Sequence, residues 1–94
     1  MTDGSKTKVE VRDEPVASRY EISVDGELAG FADYRLDNDT ITFPHTEIDP
    51  SREGQGLGGR LVGFAVTDAR SRGLTIIPVC PFVKSWIEKH PAQP

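Results

Sequence analysis

The stretch Arg52-Glu53-Gly54-Gln55-Gly56-Leu57-Gly58-Gly59-Arg60 places four glycines within six positions, directly before the clearest amphipathic run of the chain. Glycine lets the backbone turn tightly and approach a ligand closely, and a helix opening at Gly56 or Leu57 aims its unpaired N–H groups into the same space. The positive end of the helix dipole lies there too, so the junction suits phosphate or another oxyanion. The plainer reading is a glycine-rich turn that merely joins a strand to a helix. Two familiar anion loops fit poorly. A P-loop ends in Lys and Ser/Thr, whereas Gly59 is followed by Arg60 and Leu61. Gly54, Gly56 and Gly59 meet the three-glycine dinucleotide pattern, yet the strand after the helix ends Ile77-Pro78-Val79-Cys80, without the acidic residue that would hold a ribose.

Downstream, Leu57, Leu61, Phe64, Ala65 and Ala69 recur with helical period, Val62 and Val66 widen the stripe, and Arg60, Gly63, Thr67 and Arg70 fall on the opposite face. Gly73 is a normal helix stop. Leu74 to Val79 is a continuous, largely β-branched apolar run, which reads as a buried strand parallel to the one before the helix. Phe82, Val83, Trp86, Ile87 and His90 mark one face of a last short helix, with Pro81 in its first turn and Pro91 past its end. Upstream, Val9 and Val11, then Tyr20, Ile22 and Val24, alternate with polar residues as strands do, and Asp25-Gly26 signals a hairpin. A strand from Leu28 to Leu36 carries Gly30 at its middle, a candidate bulge or bend, and Asp37-Asn38-Asp39 turns the chain into Thr40 to Asp49. Within that fourth strand Pro44 cannot donate to a ladder, so it marks either an edge or a bulge. The fold class expected is α+β: a mostly antiparallel sheet of about five strands with one parallel β-α-β unit and a C-terminal helix.

With 94 residues the chain reads as one domain, residues 1–94, in which residues 1–7 are a frayed terminus. No apolar run approaches the length of a membrane span, and the single cysteine, Cys80, fits a reducing compartment, so the expectation is a cytoplasmic protein without a membrane partner. A net charge of −4 argues against nucleic acid. The charge is unevenly spread: residues 1–49 hold five Lys/Arg against twelve Asp/Glu, and residues 50–94 hold six against three. The basic half contains the glycine loop, while the acidic half suits a cationic amine or is simply a solvated surface. A monomer is favoured.

These residues resemble the GNAT N-acetyltransferase superfamily, whose acetyl-CoA pyrophosphate loop runs from a strand end into a helix. Gly56 and Gly58 match its two glycines; the position usually held by Gln or Arg falls on Glu53, with Arg52 beside it. The order Phe43-Pro44-His45-Thr46, Gly54-Gln55-Gly56-Leu57-Gly58, Pro78-Val79-Cys80-Pro81-Phe82-Val83, then Lys89-His90-Pro91 is similar to the small single-domain branch of that superfamily. The resemblance implies acetyl-CoA, or coenzyme A, as cofactor and an amine, protein lysine or small polyamine, as acceptor. Its pyrophosphate would rest on Arg52, Glu53, Gly54, Gln55, Gly56, Leu57, Gly58, Gly59 and Arg60, with Lys84 a further cation. Its pantetheine arm would pair with the strand backbone at Thr46 to Ile48, where a bulged fourth strand splays from the fifth.

Cys80 and His45 are the catalytic candidates. Cys80 stands at or beside the start of the last helix, where the dipole favours thiolate, and is an acyl acceptor, a cleft group near the thioester or a buried, inert core cysteine. His45 has a pKa suited to accepting a proton near neutrality if it faces the cleft; if it faces away it is a surface or core histidine. His45, Cys80 and His90 lack the local pair spacing of a zinc site, so no metal is expected. Larger relatives in the superfamily use a late tyrosine as general acid, whereas Tyr20 and Tyr34 lie in early strands. A non-catalytic CoA or acyl-CoA sensor or interaction module is the alternative function.

Overall fold

A computed structural model describes residues 7–92. In chain order these residues form β1 (Val9–Glu14), β2 (Arg19–Val24), β3 (Glu27–Asp37), β4 (Thr40–Ile48), a 3₁₀ turn (Pro50–Arg52), α1 (Leu57–Ser71), β5 (Thr75–Ile77) and α2 (Pro81–Lys89). The expected frayed segment lies outside the described residues except for Thr7, which is exposed. The strands form one sheet in the order β1-β2-β3-β4-β5. The first four are antiparallel, and β5 pairs parallel with β4. This is the expected α+β architecture. Among the described residues no helix is long and apolar enough to cross a membrane.

One face of the sheet is covered. Tyr20, Ile22, Ala32, Ile41 and Phe43 meet Leu61, Val62, Ala65, Val66 and Ala69 of α1 in a continuous core. Leu61, Val62 and Val66 are wholly buried, and each such side chain contributes about 1.5–3 kcal/mol. Phe64 departs from the expected stripe: it is 43% exposed and meets only the edge of the core, its ring 6.0 Å from that of Tyr20. Its Cα lies about 100° round the helix from Ala65, so a period count admits it while the flat sheet cannot reach it. The opposite face of the sheet, bearing Arg19, Glu21, Phe31, Asp33, His45 and Glu47, has no helix over it among the described residues.

The strand after α1 differs more. β5 has three residues, Thr75–Ile77, rather than a buried run from Leu74 to Val79, and Ile77 and Val79 are 44% and 60% exposed. Among the described residues it is the sheet's edge, with no strand beyond it, and Pro78 ends the ladder. A β-branched run reports a strand, but it cannot report how many neighbours the strand has.

Gly30 adjoins a bulge in β3, where the register against β2 shifts by one residue at Ala29. A Cβ at Gly30 would lie 2.5 Å from Ile48 Cδ1 and 2.6 Å from the Glu47 carbonyl oxygen, so glycine is what lets β4 lie this close. Gly30→Ala is expected to destabilise the fold by about 1–3 kcal/mol in urea titration, because the backbone carbonyl cannot yield as a side chain would.

At the far end of α1 the Tyr20 hydroxyl donates to Asp68 at 2.6 Å and the Tyr34 hydroxyl to Asp13 at 2.7 Å, while Arg72 bridges Asp68 and Asp13. Burial first, then the bond to Asp13, pushes the Tyr34 pKa from 10.0 to about 12; burial and Asp68 raise that of Tyr20 as well. A raised folded-state pKa gives stability that is whole below the unfolded pKa and is lost as pH climbs through the folded one. Unfolding free energy is therefore expected to fall between pH 10.0 and about 12, and Tyr34→Phe to flatten part of that slope.

Candidate functional site

The site begins where the β4 ladder breaks. Thr40 to Thr42 pair with Asp37 to Arg35, but His45 pairs with Asp33, so Tyr34 alone faces both Phe43 and Pro44. Proline, which cannot donate, thus sits in a bulge of β4. On the other side, parallel pairing stops at Thr42 and Ile77, and the last link is the Cys80 N–H donating to the Phe43 carbonyl at 2.8 Å. Beyond this point β4 has a strand partner on one side only. Asp49 N–H donates to Ala29 in β3 at 2.7 Å, so strand alternation turns the N–H groups of Thr46 and Ile48 the other way, into the gap. An open edge of this kind accepts an extended chain bearing amides.

The loop after β4 closes one end of the gap. Asp49 accepts from Ser51 N–H at 3.0 Å and from the Ser51 hydroxyl at 2.9 Å, which shapes the 3₁₀ turn. Gly54 and Gly56 then adopt φ of +86° and +75°, values that favour glycine. Gly56 is the N-cap of α1, offers no side-chain cap, and is followed by a first turn without an acidic residue. Among the described residues no acceptor takes the N–H groups of Leu57, Gly58 and Gly59; the first helical bond is Arg60 to Gly56, at 3.3 Å. The remaining glycines serve packing or space. A Cβ on Gly58 would stand 2.7 Å from the Phe82 ring, so Gly58 admits α2, whereas Gly59 has open space before it.

Between this loop, β4 and the start of α2 lies a groove of about 390 Å³ lined by Thr46, Ile48, Arg52, Glu53, Gly54, Gly56, Leu57, Gly58, Gly59 and Phe82. Nine of the twelve residues expected to hold the cofactor are in that lining. Gln55 and Lys84 are exposed outside it, and Arg60 lies one helical turn along α1, against a neighbouring cavity. Arg52 is held by Glu27 of β3, Nη2 to Oε1 at 3.2 Å. Neither Glu27 nor Phe82 was expected as part of the site. Glu27 has no local signal, since it is 25 residues from its partner; Phe82 reads as part of a helix's apolar face and is instead 45% exposed on the groove wall.

Cys80 is the N-cap of α2, 6% exposed, at the inner end of the gap. Its sulfur lies 3.5 Å from the Thr46 hydroxyl. Burial alone would raise its pKa, but the Thr46 hydroxyl and the N–H groups of Val83, Phe82 and Thr46 turned toward the sulfur outweigh it and leave the pKa below the ordinary thiol value. His45 is elsewhere. After the bulge, Thr46 and Ile48 take the helix-covered side and His45 and Glu47 the open face, where His45 Nε2 is 2.9 Å from Glu47 Oε1 and its ring is 6.1 Å from that of Phe31. The structure therefore brings Thr46 and Cys80 together and puts His45 across the strand from them. Among the described residues no group of three or more His, Cys, Asp or Glu is arranged to hold a metal.

An open strand edge running into a helix start with unpaired N–H groups has the chemistry to suit an extended ligand with an anionic portion. Residues 19–93 match the GCN5-related N-acetyl-transferase family. The solution structure of a GCN5-like putative N-acetyltransferase from Staphylococcus aureus is similar, with a TM-score of 0.63 and 30% identity over 85% of this chain and 78% of that one. Streptothricin acetyltransferase of Streptomyces lavendulae is 39% identical over 54 residues, which are 55% of this chain and 29% of that enzyme; the chain thus spans under a third of that relative. The chain belongs to the GCN5-related N-acetyltransferase family.

Thr46→Val keeps the side-chain volume and removes the hydroxyl. The Cys80 titration, followed by thiolate absorbance, is expected to move to higher pH, since a group that favours the thiolate is gone.

Proposed function

We propose that the chain transfers an acetyl group from acetyl-CoA to a primary amine. The observation that carries this reading is the continuity of the groove, which joins the unpaired edge at Thr46 and Ile48 to the unpaired N–H groups of Leu57, Gly58 and Gly59. Pantetheine carries amides that suit the first part, and the pyrophosphate suits the second. Acetyl-CoA would supply the acyl group as an activated thioester. Arg52, steadied by Glu27, stands beside the pyrophosphate position and supplies the positive charge that Glu53 does not.

The α1 side of the sheet is filled by core, so the amine approaches over the open face or along the groove. Its nitrogen bonds to the carbonyl carbon, the carbon–sulfur bond breaks, and the electron pair leaves with the CoA sulfur. His45, oriented by Glu47, takes the ammonium proton from an amine arriving over the open face, directly or through water. Cys80, in contact with Thr46, is placed to give a proton to the departing sulfur, and the second proton shed by the nitrogen as the amide forms restores the thiol through solvent. The acidic first half of the chain favours a cationic acceptor, a protein lysine or a small polyamine.

Gly59 gives the cleanest test, because a side chain there meets open space. In calorimetric titration with acetyl-CoA, Gly59→Glu is expected to bind at least about tenfold more weakly than the equally bulky Gly59→Gln, since only the first puts negative charge at the helix start. Absence of binding by the native chain would end the reading. Binding without CoA release across a panel of amines would leave a CoA-binding module in place of an enzyme.

A further inference from the structure

The sheet's other edge is β1, and among the described residues no strand lies beyond it. Asp25 N–H donates to the Lys8 carbonyl at 2.8 Å, so Lys8 and, by alternation, Glu10, Arg12 and Glu14 turn their backbone groups toward β2. Val9, Val11 and Asp13 turn theirs outward, where no described residue takes them. The side chains divide the same way. Val9 and Val11 pack against the core and floor a groove of about 670 Å³ beside Phe64 of α1, while Lys8, Glu10, Arg12 and Glu14 stand on the open face. Their charges alternate in sign along the strand. Lys8 Nζ is 3.6 Å from Glu10 Oε2, and Arg12 pairs with Glu14 and, at 3.4 Å, with Glu21 of β2.

A strand whose charges alternate this way is complementary to itself when reversed. We propose that β1 is the contact surface for a second copy of this chain, pairing antiparallel with that copy's β1 about a two-fold axis at Val11. In this register the outward backbone groups meet their like, Val11 against Val11 and Val9 against Asp13, as an antiparallel ladder requires. On the open face Lys8 then stands opposite the second copy's Glu14, and Glu10 opposite its Arg12. Each half of this checkerboard is already formed within one chain by the Lys8–Glu10 and Arg12–Glu14 pairs. Sliding by one step of the alternation destroys the match. One direction sets Glu10 against Glu10 and Lys8 against Arg12; the other sets Arg12 against Arg12 and Glu10 against Glu14. Charge therefore selects the same register that gives the longest ladder. On the other face, the apolar floor of Val9 and Val11 becomes continuous across the axis. The groove beside β4 lies at the far side of the sheet and stays open, so the proposal does not depend on the acetyl-CoA reading. It sets a dimer against the monomer favoured on the sequence.

One short ladder makes a small interface, so the pair is weak and its dissociation constant is on the order of 100 μM. Sedimentation equilibrium of the full chain, from about 10 μM to about 1 mM, should show a monomer passing into a dimer, with association about tenfold weaker in high salt. Over the same range the amide protons of Val9, Val11 and Asp13 should gain protection from exchange, while those of Glu10 and Arg12 are protected throughout. Charge reversal gives the decisive arm. Glu10→Lys alone sets Lys against Arg12, Arg12→Glu alone sets Glu against Glu10, and each is expected to weaken self-association at least about tenfold. An equimolar mixture restores both cross-strand pairs and should form a heterodimer about as strong as the native pair. Such rescue cannot come from misfolded chains. A native chain that stays monomeric at about 1 mM would overturn the proposal. So would a dimer that either reversal leaves intact, or two folded variants that fail to rescue each other.

Discussion

Everything distinctive about this molecule follows from a strand that loses its partner halfway along. β4 is paired on both sides from Thr40 to Thr42 and on one side from Thr46 to Ile48. Two prolines set the limit. Pro44 lies in the β4 bulge and cannot donate, and Pro78 ends β5. The unpaired amides that result would be a liability on an ordinary sheet edge. Here the edge is flanked by the loop from Asp49 to Gly56 on one side and by the start of α2 on the other, with a groove of about 390 Å³ between them.

The glycine loop shows how one cluster of residues can answer several constraints. Gly54 and Gly56 are needed for backbone angles, Gly58 for the approach of Phe82, and Gly59 for open space at the helix start. Gly63, one turn further, faces Trp86 in the same way that Gly58 faces Phe82. The small residues of α1 thus carry α2, and α2 in turn supplies Cys80 to the inner end of the gap and Phe82 to its wall. The polar links at the opposite end of α1, Tyr20 to Asp68 and Arg72 to Asp13, tie that end of the helix to β2 and β1.

Much of this was legible in the chain itself. The helix from Leu57 to Ser71, the antiparallel strands, the parallel unit and the anomaly at Pro44 are local matters of period, turn residues and a missing donor, and sequence reports those directly. Nine of the residues expected around the cofactor meet in one groove because most of them are neighbours in the chain. Sequence failed where the question was which neighbours an element has. It read β5 as buried and Phe64 as core, and it could not see that Glu27 holds Arg52.

The catalytic candidates mark the same boundary. His45 and Thr46 are adjacent, and which of them faces the gap turns on the parity of one bulged residue, because a single insertion exchanges the faces of everything after it. Cys80 is 34 positions from Thr46, and only the docking of α2 beside the splayed strand brings its sulfur to that hydroxyl. The sequence by itself determined the elements, their order and the glycine turn at the start of α1, since these depend on residues within a few positions of one another. The tertiary structure decided the open edge, the pairing of Thr46 with Cys80 and the exclusion of His45 to the far face, since each depends on how distant elements pack.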